Sequence, residues 1–352
     1  MLSTIARGLT VLLLGASVAT ADTLVVANKS EATASLVDLD TGELRATVET
    51  GHGPHEVAVS PDGQLAVVGN YGTRERPGSS LTVIDVDSAE VVKTVDLGDH
   101  RRPHGLQFAG PRRLAVTAEE SRALLVVDLS SGEVVRVLPT EQEISHMVAV
   151  TADGGRAFVA NIGSGTVTAV DLQGESAPTH VATGEGAEGV AVTPDGEQVW
   201  VTNRAEDTVT VLDADTLEPV ATLDSPSFPI RAVATPDGRH VLVTGARSDD
   251  VTVFATDPPR VERRIGFDLG EIAVEDRLFG DRFGSSSVPI GIVVDRAGRR
   301  AYVAHAHGDV ISVIDLDRWQ VIDTLRAGAE PDGMGVSPLP AGAPVTPAPS
   351  SL

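Results

Sequence analysis

Three of the nine histidines begin a series of chemically active residues that recurs at intervals of mostly about 42 residues. Each member precedes a short apolar segment, and we call them the inner series: His55, His104, His146, Glu188, Arg231, Ile290 and Asp332. An outer series stands at the end of the following apolar segment: Asn70, Glu119, Asn161, Asn203, Gly245, His305 and Asn28. Imidazole, carboxylate and guanidinium groups bind metals, transfer protons or hold anions once a fold brings them together.

A metal site is the first hypothesis. His55, His104 and His146 come from consecutive repeats and would supply three imidazoles. The residues that could complete the ligand set are Glu188, Asp332 and His305. Imidazole and carboxylate ligands suit Zn, Cu, Ni or Fe, and three protein ligands leave a position for water or substrate. We expect a divalent metal, Zn or Cu, as the cofactor under this hypothesis.

Catalysis without a firmly bound metal is the second hypothesis. His104 could act as a general base, Glu188 could tune it, and Arg231 could hold a substrate carboxylate. The residues expected to contact such a ligand are Arg231, Asn161, Asn203 and Glu119. Asn161 and Asn203 are equally suited to bonding turn backbone. The expected partner is a small anionic molecule, and the reaction would be that of a lyase, isomerase or lactonase.

A third hypothesis is a scaffold that binds a periplasmic or cell-surface protein. The histidines would then be ordinary hydrogen-bonding residues at the ends of loops, because repeat proteins often present rigid display surfaces. The residue pattern leaves the three hypotheses open.

The elements that position these residues are short strands. The stretch from Glu188 to Leu223 contains four apolar, β-branched segments, and Pro194-Asp195-Gly196 supplies a tight turn after the first. An aspartate closing the third segment recurs, with Ala255 in its place once, as Asp38, Asp85, Asp128, Asp171, Asp213 and Asp315. Four strands per repeat of about 42 residues predict an all-β fold, a β-propeller with antiparallel blades.

The repeats number seven if the two chain ends share a blade. Residues 331–338 read as a lone first strand, and residues 23–50 read as the three strands that complete it. A ring closed by one C-terminal and three N-terminal strands has no exposed sheet edge. The prediction is a single seven-bladed propeller over residues 22–338.

Four second strands carry a recognisable motif: TLVVANK from Thr23, AFVANIG from Ala157, VWVTNRA from Val199 and AYVAHAH from Ala301. With VAVTPDG before them and TVTVLDADT after, the chain resembles the YVTN-repeat β-propeller family, which includes periplasmic YncE-like proteins. The resemblance implies that the first strands line a central channel and that both series lie at its mouth, on one face. Propeller lactonases offer an analogy for the enzyme hypothesis.

The chain ends and the overall charge add further expectations. Residues 1–21 read as a cleaved secretory signal peptide, with Arg7, an apolar run and Ala19-Thr20-Ala21. The mature chain would start at Asp22 and be periplasmic or secreted, with no membrane span. Residues 339–352 read as a disordered Pro/Ala-rich tail. A formal net charge of −23 argues against a nucleic-acid partner, because binding to phosphates requires Lys and Arg.

Two insertions interrupt the repeat, at residues 71–80 and 269–287. Long loops in a compact repeat protein are often functional. Within the second insertion, Glu271–Phe283 mixes charged residues with Leu278, Phe279 and Phe283, which favours an amphipathic lid over the channel face.

Overall fold

The computed structural model of the protein describes residues 22–174, 176–270, 277 and 279–342. These residues form seven four-stranded antiparallel sheets and two short 3₁₀ helices, Glu119–Ser121 and Gly280–Phe283, without an α-helix. The sheets are the blades of a propeller, which confirms the predicted all-β, seven-bladed fold.

Blade 7 joins the two ends of the chain and contains β1 (Thr23–Asn28), β2 (Thr33–Asp38) and β3 (Leu44–Glu49). Blade 1 contains β4 (Pro54–Val59), β5 (Leu65–Gly72), β6 (Pro77–Asp85) and β7 (Glu90–Asp96). Blade 2 contains β8 (Pro103–Phe108), β9 (Arg113–Ala118), β10 (Ala123–Asp128) and β11 (Glu133–Pro139). Blade 3 contains β12 (Ser145–Val150), β13 (Arg156–Asn161), β14 (Thr166–Asp171) and β15 (Thr179–Ala182).

Blade 4 contains β16 (Ala187–Val192), β17 (Gln198–Asn203), β18 (Thr208–Asp213) and β19 (Pro219–Asp224). Blade 5 contains β20 (Pro229–Ala234), β21 (His240–Gly245), β22 (Asp250–Thr256) and β23 (Pro259–Gly266). Blade 6 contains β24 (Pro289–Val294), β25 (Arg300–His305), β26 (Val310–Asp315) and β27 (Gln320–Arg326). The remaining strand, β28 (Pro331–Ser337), returns to blade 7.

The ring closes as predicted, because β28 pairs antiparallel with β1. Ser337 lies opposite Thr23 and Pro331 opposite Asn28, so the sheet order is β28-β1-β2-β3. Each first strand also contacts the first strands of the neighbouring blades, and β28 takes its place between β24 and β4. The last strand of the chain therefore completes both a blade and the wall of the channel.

Apolar side chains of the middle strands hold neighbouring blades together. Trp200 on β17 is fully buried, and its ring lies 5.6 Å from that of Phe254 in the next blade. The recurring aspartates are structural, as Asp213 illustrates: its Oδ1 accepts the backbone N–H groups of Asp215 and Thr216 in the turn after β18. The repeated turn chemistry therefore sets the hairpins, and burial between blades stabilises the ring.

The first insertion extends the β5–β6 hairpin, because Gly72 pairs with Pro77. The second insertion is described at 269–270, 277 and 279–287; there Phe283 is buried, with its ring 5.3 Å from that of Phe228. The remaining part of the predicted lid, including Leu278, lies outside the described residues. The described part of the insertion therefore packs through Phe283 against Phe228, in the loop before β20.

The expected signal peptide, residues 1–21, lies outside the described residues, as does most of the expected tail. Of that tail, residues 339–342 are described, and the Thr23 hydroxyl donates a hydrogen bond of 2.7 Å to the Leu339 carbonyl. Among the helices of the described chain, none has the length and apolarity needed to cross a membrane.

Candidate metal centre

The inner series lies where each first strand opens with a register shift. In blade 2, pairing passes from Pro103 opposite Ala118 to Leu106 opposite Val116, so His104 falls in a β-bulge. The same shift occurs at the start of the other six first strands. A bulge turns a side chain away from the regular pleat, which explains how these residues leave the strand pattern at the channel mouth.

The pairing register corrects one member of the inner series. Pro229 pairs with Gly245 and Ala232 with Val243, so Ile230, not Arg231, is equivalent to Glu188. Arg231 occupies the next position, which Glu56 occupies in blade 1. Four other blades have glycine at that position: Gly105, Gly189, Gly291 and Gly333. A Cβ atom on Gly291 would lie 2.0 Å from the Asp332 carbonyl oxygen, so the neighbouring first strands approach closely at this level.

The three histidines of the series form a stack. The ring centroids of His55 and His104 are 4.1 Å apart, and those of His104 and His146 are 3.5 Å apart. All three side chains are buried, and His104 is fully buried. The three histidines lie on β4, β8 and β12, and these strands pack side by side although they belong to three successive repeats.

A carboxylate lies against the outer face of the stack at His55. Nδ1 of His55 is 2.5 Å from Oδ2 of Asp332. The Lys29 ammonium lies 2.9 Å from Nε2 of His55 and 3.1 Å from the Asp332 carboxylate. Burial lowers the pKa of His55, although Asp332 opposes this. The pKa of Asp332 is strongly lowered, because the charges of His55 and Lys29 outweigh the effect of burial.

His146 lies between two other carboxylates. Its Nδ1 is 2.5 Å from Oε1 of Glu119, and its Nε2 is 3.3 Å from Oε1 of Glu188. Burial disfavours the imidazolium, but the hydrogen bonds to Glu119 and Glu188 together raise the pKa of His146. Glu119 also accepts a hydrogen bond of 2.6 Å from the Tyr71 hydroxyl.

His104 differs from its two neighbours. Neither of its ring nitrogens has a hydrogen-bond partner among the described residues. Burial, followed by the charges of His146 and His55, lowers the pKa of His104 well below its ordinary value. His104 is therefore a neutral imidazole with a free lone pair, which is the form that binds a metal.

Two groups of potential ligand atoms meet at His104. One comprises His55, Glu56 and His104, the other His104, Glu119 and His146, and the ligand atoms within each lie within 4.8 Å of one another. Glu56 was not among the residues selected from the sequence. The signal that could have found it is its position directly after His55, where most blades carry glycine.

An ion-pair network separates the histidines from the far side of the channel. Nε and Nη2 of Arg231 donate to Oε1 of Glu56 at 3.0 and 2.7 Å, and Nη1 donates to Glu188 at 3.2 Å. Arg204 also donates to Glu188. Burial raises the pKa of Glu188, but the His146 hydrogen bond and both arginines lower it to about 2. Arg231 is thus occupied by carboxylates of the protein itself.

The asparagines of the outer series are used within their own blades. Nδ2 of Asn203 donates to the hydroxyls of Thr208 and Thr210, at 3.0 and 2.9 Å. Equivalent hydrogen bonds to the third strand are made by Asn28, Asn70 and Asn161. The structure therefore does not bring Asn161 or Asn203 to the histidine stack. Their amides join the second and third strands.

His305 takes the place of the asparagine in blade 6. Its Nε2 lies 2.9 Å from the Ser312 hydroxyl and its Nδ1 lies 2.7 Å from the Ser287 hydroxyl, and the side chain is fully buried. Both ring nitrogens are therefore used, and His305 belongs to neither candidate ligand group.

The outer series also needs a register correction. Ala118, not Glu119, pairs opposite Pro103 as Asn203 pairs opposite Ala187. Glu119 is the residue after the strand, at the start of the 3₁₀ helix. The residues at this later position that reach the inner series are Lys29, Tyr71, Glu119 and Arg204. The side chains that contact the inner series thus lie one residue beyond the predicted position.

Replacing His305 tests its structural role. We expect His305→Ala to lower the free energy of unfolding by about 2–4 kcal/mol, since it leaves a cavity and removes the partner of the buried Ser312 hydroxyl. His305→Asn should lose less than half of that, because asparagine fills this position in four other blades. Urea unfolding followed by circular dichroism measures both. Equal losses for the two variants would contradict the assignment.

Comparison with known proteins agrees with the architecture. Residues 109–275 match the family model described as YNCE-like beta-propeller. No curated protein matches the chain. A solved structure described as a functionally unknown protein from Desulfotomaculum acetoxidans DSM 771 is similar, with a TM-score of 0.74 and 13% identity, over 90% of this chain and 99% of the other. The family match and the seven-bladed architecture together make the chain similar to YncE-like β-propellers.

Proposed function

We propose that the protein is a periplasmic or secreted β-propeller that binds a divalent transition metal at the channel mouth. The ligands would be imidazole nitrogens of His55, His104 and His146, with Glu56 or Glu188 available as a carboxylate ligand. The signal-like residues 1–21 support a location outside the cytoplasm.

The observation that carries this proposal is the state of His104. A fully buried imidazole without a hydrogen-bond partner costs free energy, about 1–3 kcal/mol, unless another group satisfies it. The residue nevertheless lies between two further histidines, at ring distances of 3.5 and 4.1 Å. A metal ion bound by one of its nitrogens would satisfy that nitrogen, with His55 on one side or His146 on the other as a further ligand.

The carboxylates around the stack support the same conclusion. Asp332 and Glu119 each face Nδ1 of a histidine, at 2.5 Å. In metalloproteins such carboxylate–histidine pairs orient the ring and leave Nε2 for the metal. On the Nε2 sides, Lys29 now faces His55 and Glu188 faces His146. A bound dication would replace two positive charges on these sides: the Lys29 ammonium at His55, and the proton that His146 shares with Glu188. Nitrogen-rich ligand sets of this kind favour Zn or Cu over Mg or Ca.

The structure gives less support to an anion bound by Arg231. That guanidinium is buried and already donates to two carboxylates, so an incoming carboxylate would have to displace Glu56 or Glu188. A catalytic role for His104 or Glu188 would use the same cluster and is open to assay once metal content is known.

Metal content of the purified protein tests the proposal. We expect about one Zn or Cu per chain by inductively coupled plasma mass spectrometry, after loading and desalting. His104→Gln should weaken metal affinity by about 100-fold or more, while circular dichroism shows an unchanged fold. His180→Ala, on the outer strand β15, is the matched control and should bind as the wild type does. Absence of metal from the loaded wild type, or equal binding by His104→Gln, would refute the site.

A further inference from the structure

A groove of about 700 Å³ opens on the channel face between blades 7 and 1, beside the histidine stack. Its walls come from the turn after β1, which includes Lys29, and from the extended hairpin after β5, which includes Tyr71 and Arg74. Arg102, from the approach to β8, closes one side. The first insertion in the repeat therefore builds one wall of this groove.

The charge of the groove is opposite to that of the whole chain. Three cationic side chains, Lys29, Arg74 and Arg102, line it together with one acidic residue, Glu75, whereas the chain carries a formal net charge of −23. Lys29 is paired with Asp332 at 3.1 Å, and Arg102 with Glu120 at 2.8 Å. Arg74 has neither an ion pair nor a hydrogen bond within the described ranges of the chain. The lining thus offers one uncommitted guanidinium.

The same groove contains an aromatic wall. The Tyr71 ring is held edge-on by His55 at 5.1 Å and His104 at 5.6 Å, and the guanidinium of Arg102 lies 4.9 Å from its centroid. Its hydroxyl is fixed by Glu119 at 2.6 Å. The beginning of this wall depends on Gly72: its φ is 89°, and a Cβ there would lie 2.2 Å from the Arg76 carbonyl oxygen. The groove is therefore preformed around Tyr71, with an exposed charge at Arg74.

We propose that this groove binds a small organic monoanion, an aromatic or aliphatic carboxylate. Its carboxylate would pair with the Arg74 guanidinium, whose two parallel N–H donors match a carboxylate. Its apolar part would lie along Tyr71, where stacking and burial add binding energy. A single charge fits better than a multiply charged phosphate, because the other two cations already share protein carboxylates.

This binding site does not depend on the proposed metal. Arg74 belongs to neither candidate ligand group, and the carboxylate would contact the outer side of the hairpin. Occupation of the groove and of the metal site are therefore separable by mutation. The two sites are nevertheless neighbours, because Lys29 lines the groove and contacts His55.

The test uses 4-fluorobenzoate as the probe and its neutral analogue, 4-fluorobenzamide, as the chemical control. Fluorine NMR of metal-free full-length protein should show broadening of the benzoate signal and little of the benzamide signal. Arg74→Glu should weaken benzoate binding by about tenfold or more, because it replaces attraction by repulsion. The matched control is Arg326→Glu, an exposed outer-strand residue with the same charge change, and it should bind as the wild type does.

The outcomes separate this proposal from the proposed function. Arg74→Glu should keep metal binding if the two sites are distinct. Absence of benzoate binding at about 10 mM would overturn the carboxylate site while leaving the metal proposal standing. Equal binding of the benzamide, or equal weakening by Arg74→Glu and Arg326→Glu, would also overturn it, since neither depends on a carboxylate at Arg74.

Discussion

Deleting residues 331–352, which include β28, is expected to abolish cooperative folding of the propeller. The deletion removes the partner of β1 and opens the ring between β24 and β4, so that two inner strands lose a neighbour and β1 becomes an exposed edge. The loss should be comparable with the whole stability of a typical domain, about 5–15 kcal/mol. Urea unfolding followed by far-ultraviolet circular dichroism, and by Trp200 fluorescence, measures it.

Two controls distinguish loss of ring closure from loss of chain length. Removing residues 343–352 alone should leave the unfolding midpoint unchanged, because every described contact remains. Moving residues 329–342 to a position directly before Asp22 should restore folding, since Ser337 already lies opposite Thr23. A cooperative transition at the wild-type midpoint in the β28 deletion would show that the ring does not need this strand.

Replacing Arg231 by methionine should destabilise the protein by about 3–5 kcal/mol, the cost of removing one partner from a buried ion pair. Glu56 would lose both of its hydrogen bonds from the guanidinium, whereas Glu188 would keep Arg204 and His146. Urea unfolding at pH 7 gives the free energy. Arg326→Met, at an exposed outer-strand position, is the control and should change it by less than about 0.5 kcal/mol.

The predicted loss of stability depends on the negative charge that Glu56 keeps once its guanidinium partner is removed. Adding Glu56→Gln to Arg231→Met should recover part of the loss, because the buried position then holds a neutral side chain. A deficit that Glu56→Gln does not relieve would indicate lost packing instead.

Much of the fold could be predicted because its causes are local in sequence. The period of about 42 residues, the Pro-Asp-Gly turns and the recurring aspartates each act within one hairpin. Asp213 bonds backbone groups only two and three residues away. Ring closure also followed from counting strands: the single strand at the C-terminal end and the three at the N-terminal end together make one complete blade. The grouping of His55, His104 and His146 came from the same alignment.

The registers of the site were not predictable from that alignment. It placed Arg231 level with Glu188 and Glu119 level with Asn203, and the structure moves each by one residue. The register is set by which residues pair between strands, Pro229 with Gly245 and Pro103 with Ala118, and this pairing has no local sequence signature strong enough to be counted. The same limit concealed the use of His305, whose partners Ser287 and Ser312 come from the loop before β24 and from β26.

The sequence by itself determined the blades, their number and the histidine-rich end of the channel, because periodicity and turn chemistry are properties of short segments. The tertiary structure alone decided which charges are neutralised. Arg231 meets Glu56 across 175 residues of chain, and Lys29 meets Asp332 across 303 residues. Such pairs form only when the ring closes, because closure pairs β28 with β1 in blade 7 and brings blades 1 and 5 within hydrogen-bonding distance. Among the residues that the structure describes, both nitrogens of His104 lack a partner, because its neighbours contact carboxylates at the mouth and it does not.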